Sequence, residues 1–253
     1  EMPRSLIQEY VERGARGFKI TPRMTKPYVK QSISNIALHE MINPEILPIA
    51  HRNDMPILVH LPQLVVAPRV SPPVLGELGA MVSKYKHIKF ILAHLGQAQT
   101  PGKIEAFIEW ITRNDFLDNI SMDTSAVTVP SVLAIALASP IRLLFGTDID
   151  FSLTERGRYV MFNYLNGRRI VARAQERKSA ITTLVSTSFG KQLREFTDEE
   201  RIDINAPLYV FQLDGILGAI DILEREGKSQ FEITSILENL FFRNTRAVMK
   251  LNN

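Results

Sequence analysis

Apolar positions along the chain follow two alternating rhythms. Leu6, Ile7, Tyr10 and Val11 recur at helical spacing, and Gly14 and Gly17 bracket the step into the short apolar run GFKI. The same change of rhythm returns further along: ILPIAHRND precedes PILVHLP, LGELGAMVSKYKH precedes IKFILAHLG, IEAFIEWITRND precedes NISMDTSA, and VPSVLAIALASP precedes IRLLFGTD. Each helix feeds a strand, and the strands begin near Gly17, Pro56, His87, Asn119 and Ile141. Runs this apolar have no polar face to turn to water. They predict an α/β fold with a parallel sheet buried on both faces by right-handed βα units.

Beyond Asp150 the rhythm stops. Residues 152–195 carry many Arg and Lys among apolar positions, as in ERGRYVMFNYLNGRRIVARAQERK, and predict helices with one solvated face and no strand. The last stretch, FEITSILENLFFRNTRAVMKL, has Ile233, Ile236, Leu237, Leu240 and Phe241 at helical spacing and predicts a closing helix. No internal repeat or low-complexity linker interrupts the chain. The expected organisation is a single domain over 1–253, with βα units in 1–150, a helical insertion or lid in 151–230, and the closing helix in 231–253.

Composition changes this picture little and narrows the chemistry. A length of 253 residues suffices for a large core, and 45% hydrophobic with 23% charged residues is ordinary for a soluble protein. No uninterrupted apolar run reaches the roughly 18 residues of a membrane span, so no membrane partner is expected. The net charge of +3, from 30 basic and 27 acidic residues, predicts no nucleic-acid surface. Arg168, Arg169, Arg173, Arg177 and Lys178 do form a basic cluster, but no recognised nucleic-acid motif accompanies it. The chain has no cysteine, so disulfides, thiolate nucleophiles and Cys-type zinc sites are excluded and any metal must be held by His and carboxylate. This fits a cytoplasmic protein. The opening EMPRSLIQEYVERGARG enters helical periodicity directly and has no signal-peptide pattern, as expected of mid-domain sequence.

In parallel α/β folds, chemistry sits at the carboxyl ends of the strands, where loops surround a concavity on a rigid base. The polar residues here fall at those ends. His60 ends PILVH, His94 ends KFILAH, Asp123 ends NISMD, Asp148 follows LLFG, and Lys19 lies inside GFKI. A lone strand-end His is more often hydrogen-bonded structure than a ligand, and an Asp after a strand is often a helix N-cap. Recurrence in register favours a site: two imidazoles and an acid converging there suit zinc or a similar divalent ion, which offsets the cost of burying Asp148. Lys19 can equally extend its ammonium to solvent. His39, His51 and His87 lie away from strand ends and are read as structural or surface residues.

Taken in order, VHLP, ILAHLG, SMDTSA, LLFGTD and the late ENLFFRNTRAVMKL resemble the amidohydrolase-2 family, metal-dependent TIM-barrel hydrolases and non-oxidative decarboxylases related to aminocarboxymuconate semialdehyde decarboxylase. The resemblance spans about residues 5–150 and the last 25 or so, and it implies a (β/α)8 barrel whose strands four to eight are visible. It implies His60 as a metal ligand, His94 as general acid or base, and Asp148 as a ligand of the metal or of its activated water. Asp123 and Ser125 would support the substrate pocket. The family's first strand carries a His-x-His pair, and no His-x-His occurs in this sequence. The first three strands also have no counterpart before Gly17. An unpaired parallel edge is rarely tolerated in a soluble monomer, so the expectation is a missing amino-terminal segment and a homo-oligomer completed by a partner or by domain swapping.

The function expected is that of a metal-dependent hydrolase or decarboxylase. It would act on a small carboxylated or cyclic substrate through a metal-activated water and His94 as proton shuttle. Lys19, Arg69 and Asp123 are candidate substrate contacts. Arg69 and Arg156 are suited to a carboxylate by bidentate pairing, although such residues are more often plain surface arginines. The competing reading is a catalytically inactive relative retained as a protein-interaction or oligomerisation module.

Overall fold

A computed structural model describes residues 2–21, 37–61, 65–66, 69–70, 72–98, 100–147, 160–165, 168–173, 182–187, 190–195 and 208–250. By contacts the chain divides into two compact units. The first comprises residues 1–123, 135–145 and 231–253, and the second comprises 124–134 and 146–230.

The first unit is built on a parallel sheet. Its strands are β1 (Phe18–Ile20), β2 (Ile57–Val59), β5 (Phe90–Leu92), β6 (Ile120–Asp123) and β7 (Arg142–Leu144), each hydrogen-bonded to the next in chain order. These are the strands that the change of rhythm predicts, and all their pairings are parallel. Every residue of β5 and β6 is buried, as a sheet covered on both faces requires. Between β2 and β5 lies a short antiparallel pair, β3 (Val65–Val66) and β4 (Arg69–Val70), which the apolar rhythm did not announce.

The helices supply the cover. The Arg4–Glu12 helix buries Ile7, and the Ile46–Arg52 helix buries Ile46, Leu47, Ile49 and Ala50. The Pro101–Arg113 helix buries Ile104, Phe107 and Ile111, the one-sided stripe of an amphipathic helix. At Gly17 a Cβ would stand 2.9 Å from the Pro56 carbonyl oxygen, the same oxygen that accepts the Phe18 N–H at 3.1 Å. Glycine is required there because β1 and β2 begin at backbone contact distance.

At β7 the sheet is met by the carboxyl-terminal helical stretch. The Phe145 N–H donates to the Leu240 carbonyl at 3.1 Å, and the Asn244 side-chain amide donates to the Leu143 carbonyl at 3.0 Å. Ile91 and Leu144 pack with Val248, with Leu58 and Met249 against them. Backbone groups at this edge are thus satisfied by a helix.

The second unit corrects the sequence reading of 152–195. The stretch expected to be helical forms four antiparallel strands in meander order: β8 (Val160–Leu165), β9 (Arg168–Arg173), β10 (Thr182–Thr187) and β11 (Gly190–Glu195). The insertion is therefore not all-helical, although a helix, Leu208–Arg225, follows the meander. The physical reason is periodicity. An antiparallel strand also alternates charged and apolar residues, with period two, and TTLVST is rich in β-branched residues. The paired Leu165 and Arg168 are joined by Asn166-Gly167, the strongest short hairpin signal.

The Leu208–Arg225 helix approaches residues 124–134 closely: a Cβ at Gly215 would lie 2.8 Å from the Thr128 carbonyl oxygen. One turn earlier, the buried Gln212 amide donates to Thr124 Oγ1 at 3.1 Å and to the Gly146 carbonyl at 2.6 Å, tying together the segments that follow β6 and β7. Among the described residues no helix is long and apolar enough to cross a membrane.

Candidate active site

Strand pairing brings the first two candidates together. Val59 pairs with Leu92 across β2 and β5, and the ladder runs one residue past β2 because the His60 N–H donates to the Ile20 carbonyl at 2.9 Å. His60 is therefore delivered to the carboxyl end of the sheet in a fixed orientation. His94 follows β5 by one residue and is buried, with 7% of its surface exposed.

The chain leaves β5 in an unusual way. His94, Leu95 and Gly96 all adopt left-handed angles, near φ 56°, 52° and 62°, and Gln97 continues at φ 66°. Such a conformation costs about 1–2 kcal/mol for each residue that carries a Cβ. Only Gly96 adopts it freely, so His94, Leu95 and Gln97 are held there by their surroundings. One anchor is clear: the His94 N–H donates to Asp123 Oδ1 at 2.9 Å. Asp123, at the end of β6 and 8% exposed, accepts this bond, which offsets part of the cost of burying its carboxylate.

The turn closes with the Ala98 N–H donating to the Leu95 carbonyl at 3.1 Å. At about three residues per turn, positions three apart share a face. His94 and Gln97 accordingly both reach His60. Nε2 of His94 lies 3.2 Å from Nδ1 of His60, and the Gln97 amide nitrogen lies 3.2 Å from Nε2 of the same ring. The two imidazoles meet edge to face at a centroid distance of 4.7 Å.

The other sequence candidates divide. Lys19 sits in the middle of β1, opposite Leu58, with its side chain exposed. The backbone of Arg69 pairs with Val66 in the short hairpin, and its side chain lies outside the described residues. Asp148 and Arg156 also lie outside them. Ser125 is buried in the second unit. His39 pairs with Glu77 at 3.0 Å on the surface, and His51 packs against His87 at 4.7 Å, both away from the His60–His94 pair. Gln97 was not singled out from sequence. Its signal is faint: a glycine directly after the strand-end His-Leu, followed by an amide three residues from His94.

The comparison with protein families decides the assignment: the family model described as Amidohydrolase matches residues 2–200. The chain belongs to the amidohydrolase family. No curated protein matches it. The match extends through the antiparallel meander, which the motif resemblance left out. Amidohydrolases of this family are in general metal-dependent enzymes of hydrolase or lyase type, and they usually bind a divalent ion.

The histidine pair fits such an ion in donor chemistry. A metal-binding imidazole is normally oriented by a hydrogen bond from its other ring nitrogen, and Nδ1 of His60 lies at hydrogen-bond distance from Nε2 of His94. In that arrangement a metal would take Nε2, the nitrogen that the Gln97 amide faces. Among the described residues, no three His, Asp or Glu side chains cluster closely enough to hold a metal by themselves. A metal at His60 would need further donors.

Proposed function

We propose that this amidohydrolase is a zinc-dependent hydrolase or non-oxidative decarboxylase acting on a small carboxylated or cyclic substrate. His60 and Asp148 are assigned as metal ligands and His94 as the general acid or base. The observation that carries the reading is the His60–His94 contact, made by residues at the ends of neighbouring strands, with the backbone N–H of His94 held by Asp123. The five consecutive parallel strands are read as members of a (β/α)8 barrel, whose carboxyl ends carry the chemistry. No His-x-His pair occurs in the sequence, so the ligand set proposed from this chain rests on His60 and Asp148.

A divalent ion held at Nε2 of His60 would supply Lewis acidity and would lower the pKa of a water it polarises toward about 7. The remaining work falls to the side chains. His94 moves a proton to or from the substrate, a role typically worth roughly 100- to 10,000-fold in rate. Asp123 holds the His94 backbone, which fixes the point from which the imidazole extends. Burial of His94 limits its exchange with bulk water. Lys19 and Arg69 are proposed to attract the carboxylate of the substrate, Arg69 by its bidentate fork.

The direct test is metal content together with turnover. Zinc retained in a His94→Ala variant that has lost activity supports the assigned roles, whereas unchanged turnover in that variant removes His94 from the chemistry. A chain that takes up no metal favours the non-enzymatic reading instead.

A further inference from the structure

We propose that Gln97 is a positioning residue that selects the metal-ligating tautomer of His60 and holds the place of the ion until it binds. The inference rests on the proposed function only for the identity of the displacing ligand.

The logic is that of donors and acceptors. The amide nitrogen of Gln97 only donates, so the Nε2 of His60 that faces it at 3.2 Å must accept. A neutral imidazole with its lone pair on Nε2 carries its proton on Nδ1. That proton points to Nε2 of His94, 3.2 Å away, which accepts it. The three side chains thus form one directed row, from Gln97 through His60 to His94. The direction is the one a metal ligand needs: the lone pair is presented on Nε2, and the opposite N–H is spent on an orienting bond.

The left-handed turn is what makes this row possible. A right-handed continuation of β5 would send residues 94 and 97 elsewhere. Four successive residues with positive φ place both on one side, where they bracket the two nitrogens of a single ring. Three of the four carry a Cβ and bear the strain, so the bracket is held at a cost. Gln97 is only partly buried, so its amide can swing away from His60 when a cation arrives.

The test is nitrogen NMR on the full 253-residue chain with 15N-labelled histidine, with both imidazoles neutral and His60 assigned by its loss in His60→Gln. In metal-free protein we expect His60 as one tautomer, protonated at Nδ1. Gln97→Leu should leave a mixture of tautomers. Gln97→Glu, nearly isosteric but able only to accept when ionised, should reverse the row and move the proton to Nε2. Both variants should keep the fold, so the ring nitrogens report the tautomer and not unfolding. Wild-type His60 protonated at Nε2, or Gln97→Glu with the wild-type tautomer, would overturn the selection.

A second arm separates this inference from the reading beneath it. Titration with zinc alone should shift the Gln97 side-chain amide signals in step with those of His60. Zinc that binds His60 and leaves the Gln97 amide unmoved overturns the placeholder role. Failure of zinc to bind at all, with the metal-free spectra as expected, overturns the proposed function and the placeholder role but leaves tautomer selection standing.

Discussion

His94 and Asp123 carry different kinds of burden, and substitutions should separate them. In the proposed mechanism His94 contributes its ring to the chemistry and its backbone to the turn, so His94→Ala should lower kcat by roughly 100- to 10,000-fold while the metal content stays near that of the wild type. Steady-state kinetics with elemental analysis on the same preparation checks this. Asp123 is an acceptor for a buried N–H. Asp123→Ala strands that donor and should cost about 1–3 kcal/mol in stability, whereas Asp123→Asn keeps a carbonyl oxygen in place and should cost less. Urea denaturation of the two variants distinguishes these outcomes. The strand-end positions of His60 and His94 were legible in the sequence because each follows a short apolar run of the kind a buried parallel strand makes. Gln97 was not, because the left-handed turn that turns it onto His60 leaves no compositional trace beyond Gly96.

Between elements, the contacts that matter are the closest backbone approaches. Gly215 on the Leu208–Arg225 helix has no room for a methyl group beside Thr128, so Gly215→Ala should destabilise the protein by about 1–3 kcal/mol through overpacking. Gln212→Leu removes a buried donor from two acceptors, Thr124 Oγ1 and the Gly146 carbonyl, and should cost a similar amount. Denaturant midpoints measured with wild type alongside check both. The helices and parallel strands were readable because apolar period and breaker residues agree, as in IEAFIEWITRND followed by NISMDTSA. The meander departs from the sequence expectation for the opposite reason. Its Arg and Lys residues suggest a solvated helical face, but the decisive features are the Asn166-Gly167 pair and the β-branched TTLVST. Charge density says that a face is wet; it does not say whether the period is 3.6 or two.

For the whole molecule the central question is whether the chain holds a metal at His60. A ligand that binds only the folded state stabilises it by mass action, and zinc at about 100 times its Kd adds about 2.7 kcal/mol. For a chain of this size that corresponds to a rise in Tm on the order of 5–10 °C. The rise should vanish in His60→Ala. The most direct measurement is elemental analysis of the purified protein for zinc, manganese, iron and cobalt, normalised to protein concentration, for wild type and His60→Ala side by side. Near-stoichiometric metal in the wild type, lost in the variant, is the predicted result. Wild type without metal, or equal metal in both proteins, would contradict the assignment of His60 and with it the metal-dependent chemistry proposed for this amidohydrolase.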